Sequence, residues 1–107
     1  MTNRLDKVNA LIATELGPVL SKHLGTPGML ATVTTVETAA DLSESLVWIS
    51  TVPDTAESWE AVEAVLPELR THLATRLRMK RTPRLRLRHD HGPAHAEKIE
   101  RLLSKER

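Results

Sequence analysis

The spacing of hydrophobic and polar residues predicts a helix near the start of the chain. Residues 4–24 carry apolar side chains three and four positions apart, with charged residues between them, as in an amphipathic helix. These apolar positions are Leu5, Val8, Ile12, Leu16, Val19 and Leu20. The pair Gly17–Pro18 should kink this helix or end it early, because proline lacks a backbone N–H and crowds the preceding turn.

Two strands are predicted next. Residues 29–37 (MLATVTTVE) and 45–52 (SLVWISTV) are rich in threonine, valine and isoleucine, which fit a pleated surface. The segment between them is short and polar, so an antiparallel hairpin is the simplest connection.

A kinked helical region should follow Pro53. Asp54 is an N-cap candidate, and Glu57 three positions later gives a variant of the capping box. Apolar residues then keep helical spacing from about residue 55 to 79, at Trp59, Val62, Leu66, Leu69, Leu73 and Leu77. Pro67 interrupts the helix while the apolar stripe continues, which indicates two helices that meet at a kink.

The last predicted element of the domain is a strand with two unlike faces. Thr82–Pro83 should end the second of the paired helices, so that the basic residues from Arg76 to Arg81 form its last turns. In RLRLRH, Leu85, Leu87 and His89 alternate with three arginines, so the leucines face one side of the sheet and the arginines the other.

These elements predict an α+β domain with a small three-stranded sheet, helices on one face and an open face on the other. We expect the domain to span residues 1–92. Residues 93–107 form a short tail that can be helical through Ile99, Leu102 and Leu103.

Composition excludes several classes of protein. A chain of 107 residues, 40% hydrophobic and 27% charged, suits one folded domain. The absence of cysteine excludes disulfides and thiolate metal sites. No stretch approaches the ~20 apolar residues that span a bilayer, and the first residues lack the apolar core of a secretory signal. We therefore expect a cytoplasmic protein without membrane contact.

Charge is strongly segregated along the chain. Eight acidic and no basic residues lie between Glu37 and Glu68, and eight basic and no acidic residues lie between Arg70 and Arg88. The basic residues are Arg70, Arg76, Arg78, Lys80, Arg81, Arg84, Arg86 and Arg88. Such a block favours phosphate contact with structured RNA. The alternative is a solvated surface, with or without pairing to the acidic middle of the chain.

Two other features bear on function. Trp48 and Trp59 are the only aromatic residues, which disfavours stacking of successive bases and favours recognition of the RNA backbone and shape. Trp59 should lie in the core, whereas Trp48 can face either side of its strand. His89, Asp90, His91 and His95 have metal-ligand types and could bind zinc, but they surround a Gly–Pro break. We interpret them as a polar strand end and expect neither a metal nor another cofactor.

Several segments together resemble the ribosome-binding factor A family. TVTTVETAADLSESLVWIS (32–50) is similar to its paired strands around Asp-Leu-Ser. Similarity continues through the second half of the chain, at Arg70, Leu73, Leu77, Arg78, Lys80, Pro83, Leu85, Asp90, Ile99, Leu102 and Leu103. The family's kink sequence Ala-x-Gly is replaced here by Val65-Leu66-Pro67, its last-strand aromatic by Leu87 and its tail glycine by Ala96.

The resemblance implies a type II KH-like fold and a protein that binds the small (30S) ribosomal subunit and assists late maturation of its 16S rRNA. The hypothesis is an assembly factor without enzymatic activity, monomeric when free, in which the eight basic residues named above form the RNA-binding site. Seven of them contact phosphates, and Arg70 either contacts RNA or anchors its helix. The alternatives are a general structured-RNA-binding protein and a charge-segregated module that binds other proteins.

Overall fold

The first helix forms where its apolar spacing predicts it. A computed structural model describes residues 4–25, 27–77 and 81–92, and α1 spans Arg4–Leu24. The helix continues through Pro18, so the expectation of an early end is wrong. Pro18 is exposed, while Leu16 and Leu20 on either side of it are fully buried. Burial of apolar side chains on both sides of the proline offsets the missing hydrogen bond, which costs ~3 kcal/mol.

Strands β1 (Leu30–Thr38) and β2 (Glu44–Val52) form the predicted antiparallel hairpin. Their connection is closed by the backbone N–H of Ala39, which donates to the carbonyl of Glu44 (2.9 Å). Leu42 takes a left-handed conformation (φ 62°) at the centre of this loop. Asp41 stabilises the turn by accepting bonds from the backbone N–H and the hydroxyl of Ser43 (3.0 and 2.6 Å).

A β-bulge in β1 lets Ala31 and Val36 face the same core. Val33 pairs with Ile49 and Thr35 with Trp48, so Thr34 is the extra residue. Ala31 and Val36 are an odd number of positions apart, yet both are buried. Strict alternation would place them on opposite faces, and the bulge removes this conflict.

Helix α2 (Ala56–Ala64) begins one residue later than the sequence indicates. The N-cap is Thr55, whose hydroxyl accepts the backbone N–H of Ser58 (3.1 Å), so the prediction that Asp54 caps the helix is wrong. Either residue type can cap a helix. The Asp54 carboxylate contacts His89 and His91 instead.

Helix α3 (Leu66–Arg76) confirms the interruption predicted at Pro67. Val65 joins the two helices, and Pro67 lies in the first turn of α3, where the missing N–H has no partner to lose. The helix ends at Arg76 because Leu77 is extended (ψ 122°) although its side chain is buried. The prediction that Arg81 belongs to this helix is therefore wrong, and the apolar stripe outlasts the helical backbone by one residue.

Strand β3 (Arg84–His89) completes a sheet of order β1-β2-β3 and pairs with β2 in parallel. Core residues come from all three helices and from one face of the sheet. The fully or nearly fully buried ones include Ile12, Leu16, Leu20, Val47, Ile49, Val62, Leu69, Leu73 and Leu85. Among the described residues, no helix is long and apolar enough to cross a membrane. The predicted fold, with helices on one face and an open face opposite, is confirmed.

Candidate RNA-binding surface

The open face of the sheet carries a row of arginines along its edge strand. Alternation in β3 buries Leu85 and exposes Arg84, Arg86 and Arg88. Side chains on one face of a strand are about 6–7 Å apart along it. The three guanidinium groups therefore follow one exposed edge, as the sequence pattern predicts.

Arg70 joins this row from a different element. It is exposed on α3 and lines a shallow groove with Arg84, Leu85 and Arg86. Because β3 is at the edge of the sheet, this groove runs between the third helix and the last strand. Chain folding thus brings together arginines that are at least 14 positions apart in the sequence.

Few carboxylates balance this surface. Arg86 Nη1 lies 3.8 Å from Glu44 Oε1, with both side chains about half exposed. Among the residues that the structure describes, this is the one arginine–carboxylate ion pair between the basic block and the acidic middle. An exposed pair at this distance contributes little, about 0–1 kcal/mol, so the arginine row keeps its positive potential.

Arg81 lies at the end of the row, near the β1–β2 loop. It lines a hollow with Ser43, Glu44, Thr82 and Arg84, and the backbone N–H of Arg84 donates to the Ser43 carbonyl (2.9 Å). Hydrogen bonds from Ser43 hold the pKa of Asp41 below its ordinary value, and the positive charge of Arg81 adds a smaller contribution. Arg81 therefore lies near two carboxylates of the β1–β2 connection, Asp41 and Glu44.

Arg76 is on another side of the domain. It is six positions after Arg70, which places the two side chains roughly 120° apart around α3. Arg76 Nε lies 3.9 Å from Glu15 Oε2 of α1, which also contacts His72 Nε2 at 2.9 Å. Arg76 thus lines the groove between α1 and α3 and does not join the β3 row. Arg78 and Lys80 lie outside the described residues.

The two tryptophans occupy different surroundings. Trp48 is half-buried on the open face, where it pairs in register with Arg88, and its Nε1 has no hydrogen-bond partner in the described part of the chain. Trp59 packs against the core and stacks on His89, with ring centroids 4.6 Å apart. Trp59 therefore packs against the core, as expected, but its side chain is only partly buried.

A polar cluster at the far end of β3 contains two of the histidines singled out from the sequence and one residue that was not expected there, Asp54. Asp54 Oδ1 lies 3.0 Å from His89 Nε2 and 3.0 Å from His91 Nδ1. The sequence singles out both histidines, but Asp54 is 35 positions before the first of them. Asp54 lies between a proline and a threonine in a sequence typical of a helix start. Nothing in the neighbouring sequence indicates that its carboxylate contacts the histidines. His95 and the tail residues Ile99, Leu102 and Leu103 lie outside the described residues.

The order helix-strand-strand-helix-helix-strand, with a parallel third strand and a kinked helix pair, defines a type II KH-like domain. The model of the ribosome-binding factor A family matches residues 4–103. The chain therefore belongs to this family of ribosome-binding factors, as its sequence resemblance implies.

Individual relatives agree with this assignment. Ribosome-binding factor A of Akkermansia muciniphila is 32% identical over 96% of this chain and 84% of that protein. Its counterpart from Chlorobaculum parvum is 35% identical over 96% of this chain and 90% of that protein. The crystal structure of ribosome-binding factor A from Thermus thermophilus aligns with a TM-score of 0.68 and 26% identity, over 79% of this chain and 93% of that one. A Thermotoga maritima protein solved by NMR shares the fold, with a TM-score of 0.56 and 24% identity over 87% of this chain and 95% of that one.

Proposed function

We propose that the protein binds the small (30S) ribosomal subunit in the cytoplasm and assists the late maturation and processing of its 16S rRNA. Family membership supports a ribosomal partner. The protein acts by binding an immature conformation of the RNA in preference to the mature one, since a ligand that prefers one conformation shifts the population toward it. No covalent step is required of the protein.

The observation that carries this proposal is the arginine surface shared by β3 and α3. Arg84, Arg86 and Arg88 project from one exposed edge, and Arg70 borders the same groove. Guanidinium forks bind phosphate oxygens through two parallel hydrogen bonds. Phosphate contacts fix the position of a protein on RNA without reading its sequence. This surface suits the backbone of a folded RNA.

Recognition depends on RNA shape more than on base identity. Trp48 is the one aromatic side chain on the open face, because the other, Trp59, packs on the core side against His89. One half-buried ring supports contact with at most one base, whereas readers of single strands stack several. The RNA partner is therefore structured.

The junction between α2 and α3 makes little direct contact with phosphate in this proposal. The backbone N–H of Val65 already donates to Val62 (3.0 Å), and Pro67 has no N–H to offer. Glu68 adds a negative charge in the first turn of α3. Side chains at the β3 edge, and not backbone groups at the helix kink, supply the contacts.

A protein-interaction module is the second candidate. Leu30 and Val52 pair across the hairpin and are 56% and 63% exposed, which gives the sheet a small apolar patch. A protein partner would bury this patch, and its binding would depend less on salt than binding to RNA. A general affinity for structured RNA is distinguished by comparing the small subunit with an unrelated folded RNA.

Co-sedimentation with purified small subunits tests the proposal. The double variant Arg70→Glu, Arg84→Glu reverses two charges at the β3 edge, and we expect it to lose most co-sedimentation. The matched control Lys22→Glu, Arg76→Glu reverses two charges in the groove between α1 and α3 and should retain it. Equal retention by both variants, each with an unchanged circular dichroism spectrum, would contradict the proposed surface.

A further inference from the structure

Three metal-ligand side chains meet at the junction of β3 and α2. They are Asp54, His89 and His91, and one ligand atom from each lies within 4.8 Å of the other two. Asp54 Oδ1 is 3.0 Å from His89 Nε2, and His91 Nδ1 is 3.0 Å from both Asp54 oxygens. The carboxylate thus stands between two imidazoles.

Neighbouring groups hold these side chains in place. His89 faces the core side of β3, where its ring lies parallel to that of Trp59 within 9° and the ring centroids are 4.6 Å apart. Thr55 takes the capping position of α2, and the Asp54 carboxylate contacts both histidines. Ligand side chains that are already held in position before the metal arrives favour specific binding of the metal.

The spacing is close to that of a zinc centre. Zinc binds imidazole nitrogen and carboxylate oxygen at about 2.0–2.2 Å in tetrahedral geometry, which places neighbouring ligand atoms roughly 3.3–3.6 Å apart. The two 3.0 Å contacts need to lengthen by a few tenths of an ångström, and the ligand atoms of His89 and His91, which lie within 4.8 Å of each other, need to take up the same spacing around the ion. Imidazole and carboxylate ligands together favour a borderline metal such as Zn²⁺ over Mg²⁺ or Ca²⁺.

The surroundings allow a cation to enter and attract it. Asp54 and His91 keep 38% and 40% of their side-chain surface exposed, so the cluster lies at the surface of the domain. Glu60 and Glu63 line the same hollow and add negative charge beside it. A zinc ion with three protein ligands takes water in its fourth position.

We propose that Asp54, His89 and His91 bind one Zn²⁺ ion, with water as the fourth ligand, and that the ion ties the end of β3 to the start of α2. This site is separate from the arginine surface and does not depend on the function proposed above. From the sequence these histidines are interpreted as a polar strand end because they surround a Gly–Pro break; the structure brings Asp54 to them as a third residue of metal-ligand type.

Direct metal binding to the full-length protein tests this site. Metal-free protein is titrated with Zn²⁺ in competition with a chromophoric chelator, and we expect one ion per chain. His91→Gln and Asp54→Asn should each weaken binding by more than the ~10- to 100-fold caused by loss of a ligand's hydrogen-bond partner. The matched control His23→Gln changes an exposed histidine at the end of α1 and should bind as the unaltered protein does.

A second measurement reports on the site itself. In a Trp48→Phe background, Trp59 is the sole tryptophan, and its stacking on His89 should make Co²⁺ or Cu²⁺ quench its fluorescence. Zn²⁺ should also raise the melting temperature of the unaltered protein but not that of His91→Gln. Absence of stoichiometric Zn²⁺ binding, or equal affinity in the His91→Gln, Asp54→Asn and His23→Gln variants, would overturn the proposal.

Discussion

Thr34 in β1 donates a 2.6 Å hydrogen bond to the carboxylate of Asp90, which follows β3 on the other side of the central strand. The backbone N–H of Asp90 in turn donates to the carbonyl of Ile49 in β2 (2.8 Å). Bonds from Thr34 and from the backbone of Gly92 hold the pKa of Asp90 below its ordinary value. The bulge residue of the first strand thus fixes the end of the strand that carries the arginine row.

Replacement of Thr34 by valine should weaken this connection. The change removes the hydroxyl but keeps the branched side chain that suits a strand. We expect the free energy of unfolding to fall by about 0.5–1.5 kcal/mol, the usual contribution of one hydrogen bond, as measured by urea denaturation. Thr35→Val is the control, since its hydroxyl has no partner among the residues that the structure describes. Equal effects of the two changes would show that the bond contributes nothing.

The capping position of α2 gives a second test. Thr55→Ala removes the acceptor for the Ser58 N–H and should lower the free energy of unfolding by about 0.5–2 kcal/mol. Thr55→Ser keeps the hydroxyl and should recover most of this stability. If the alanine variant unfolds at the same urea concentration as the unaltered protein, Thr55 is not the functional cap.

The Asp41 carboxyl in the loop between β1 and β2 should titrate at a lowered pH. Because Ser43 donates to Asp41, the pKa of this carboxyl lies below its ordinary value of about 3.8. The bond therefore stabilises the fold above that pH, and its contribution is lost as pH falls through the folded-state pKa. A carboxyl NMR titration should show a lowered pKa that rises in Ser43→Ala, which loses the hydroxyl bond and keeps the backbone one. An unchanged pKa in that variant would contradict the assigned cause.

Much of the fold follows from residue patterns that physical chemistry fixes locally. Alternating polar and apolar residues predict β3 and the face of its arginines, because successive side chains of a strand point in opposite directions. The bulge at Thr34 could not be predicted, since it depends on pairing with β2. The end of α3 was also predicted wrongly. Leu77 continues the helical spacing of apolar residues and is buried, but its backbone is extended, so the apolar pattern alone does not show where the helix ends.

The candidate surface was predicted only in part for a similar reason. Arg84, Arg86 and Arg88 share a strand, so their common direction is local information. Helix geometry separates Arg76 from Arg70, but the groove that each one lines depends on which element packs against that side of α3, and that is a property of the whole domain. The meeting of Asp54 with His89 likewise depends on the parallel pairing of β2 and β3.

Salt dependence of binding to the purified small subunit tests the proposed RNA contact most directly. If five or more phosphates are neutralised, log K should fall against log salt with a slope of magnitude about 4 or more. The triple variant Arg84→Ala, Arg86→Ala, Arg88→Ala should reduce this magnitude by about 2–3, roughly one for each phosphate that is no longer bound. Arg76→Ala, which removes an arginine of similar exposure on the helix side, should leave the slope unchanged. A shallow slope in the unaltered protein, or the same slope in the triple variant, would contradict phosphate binding by the β3 edge.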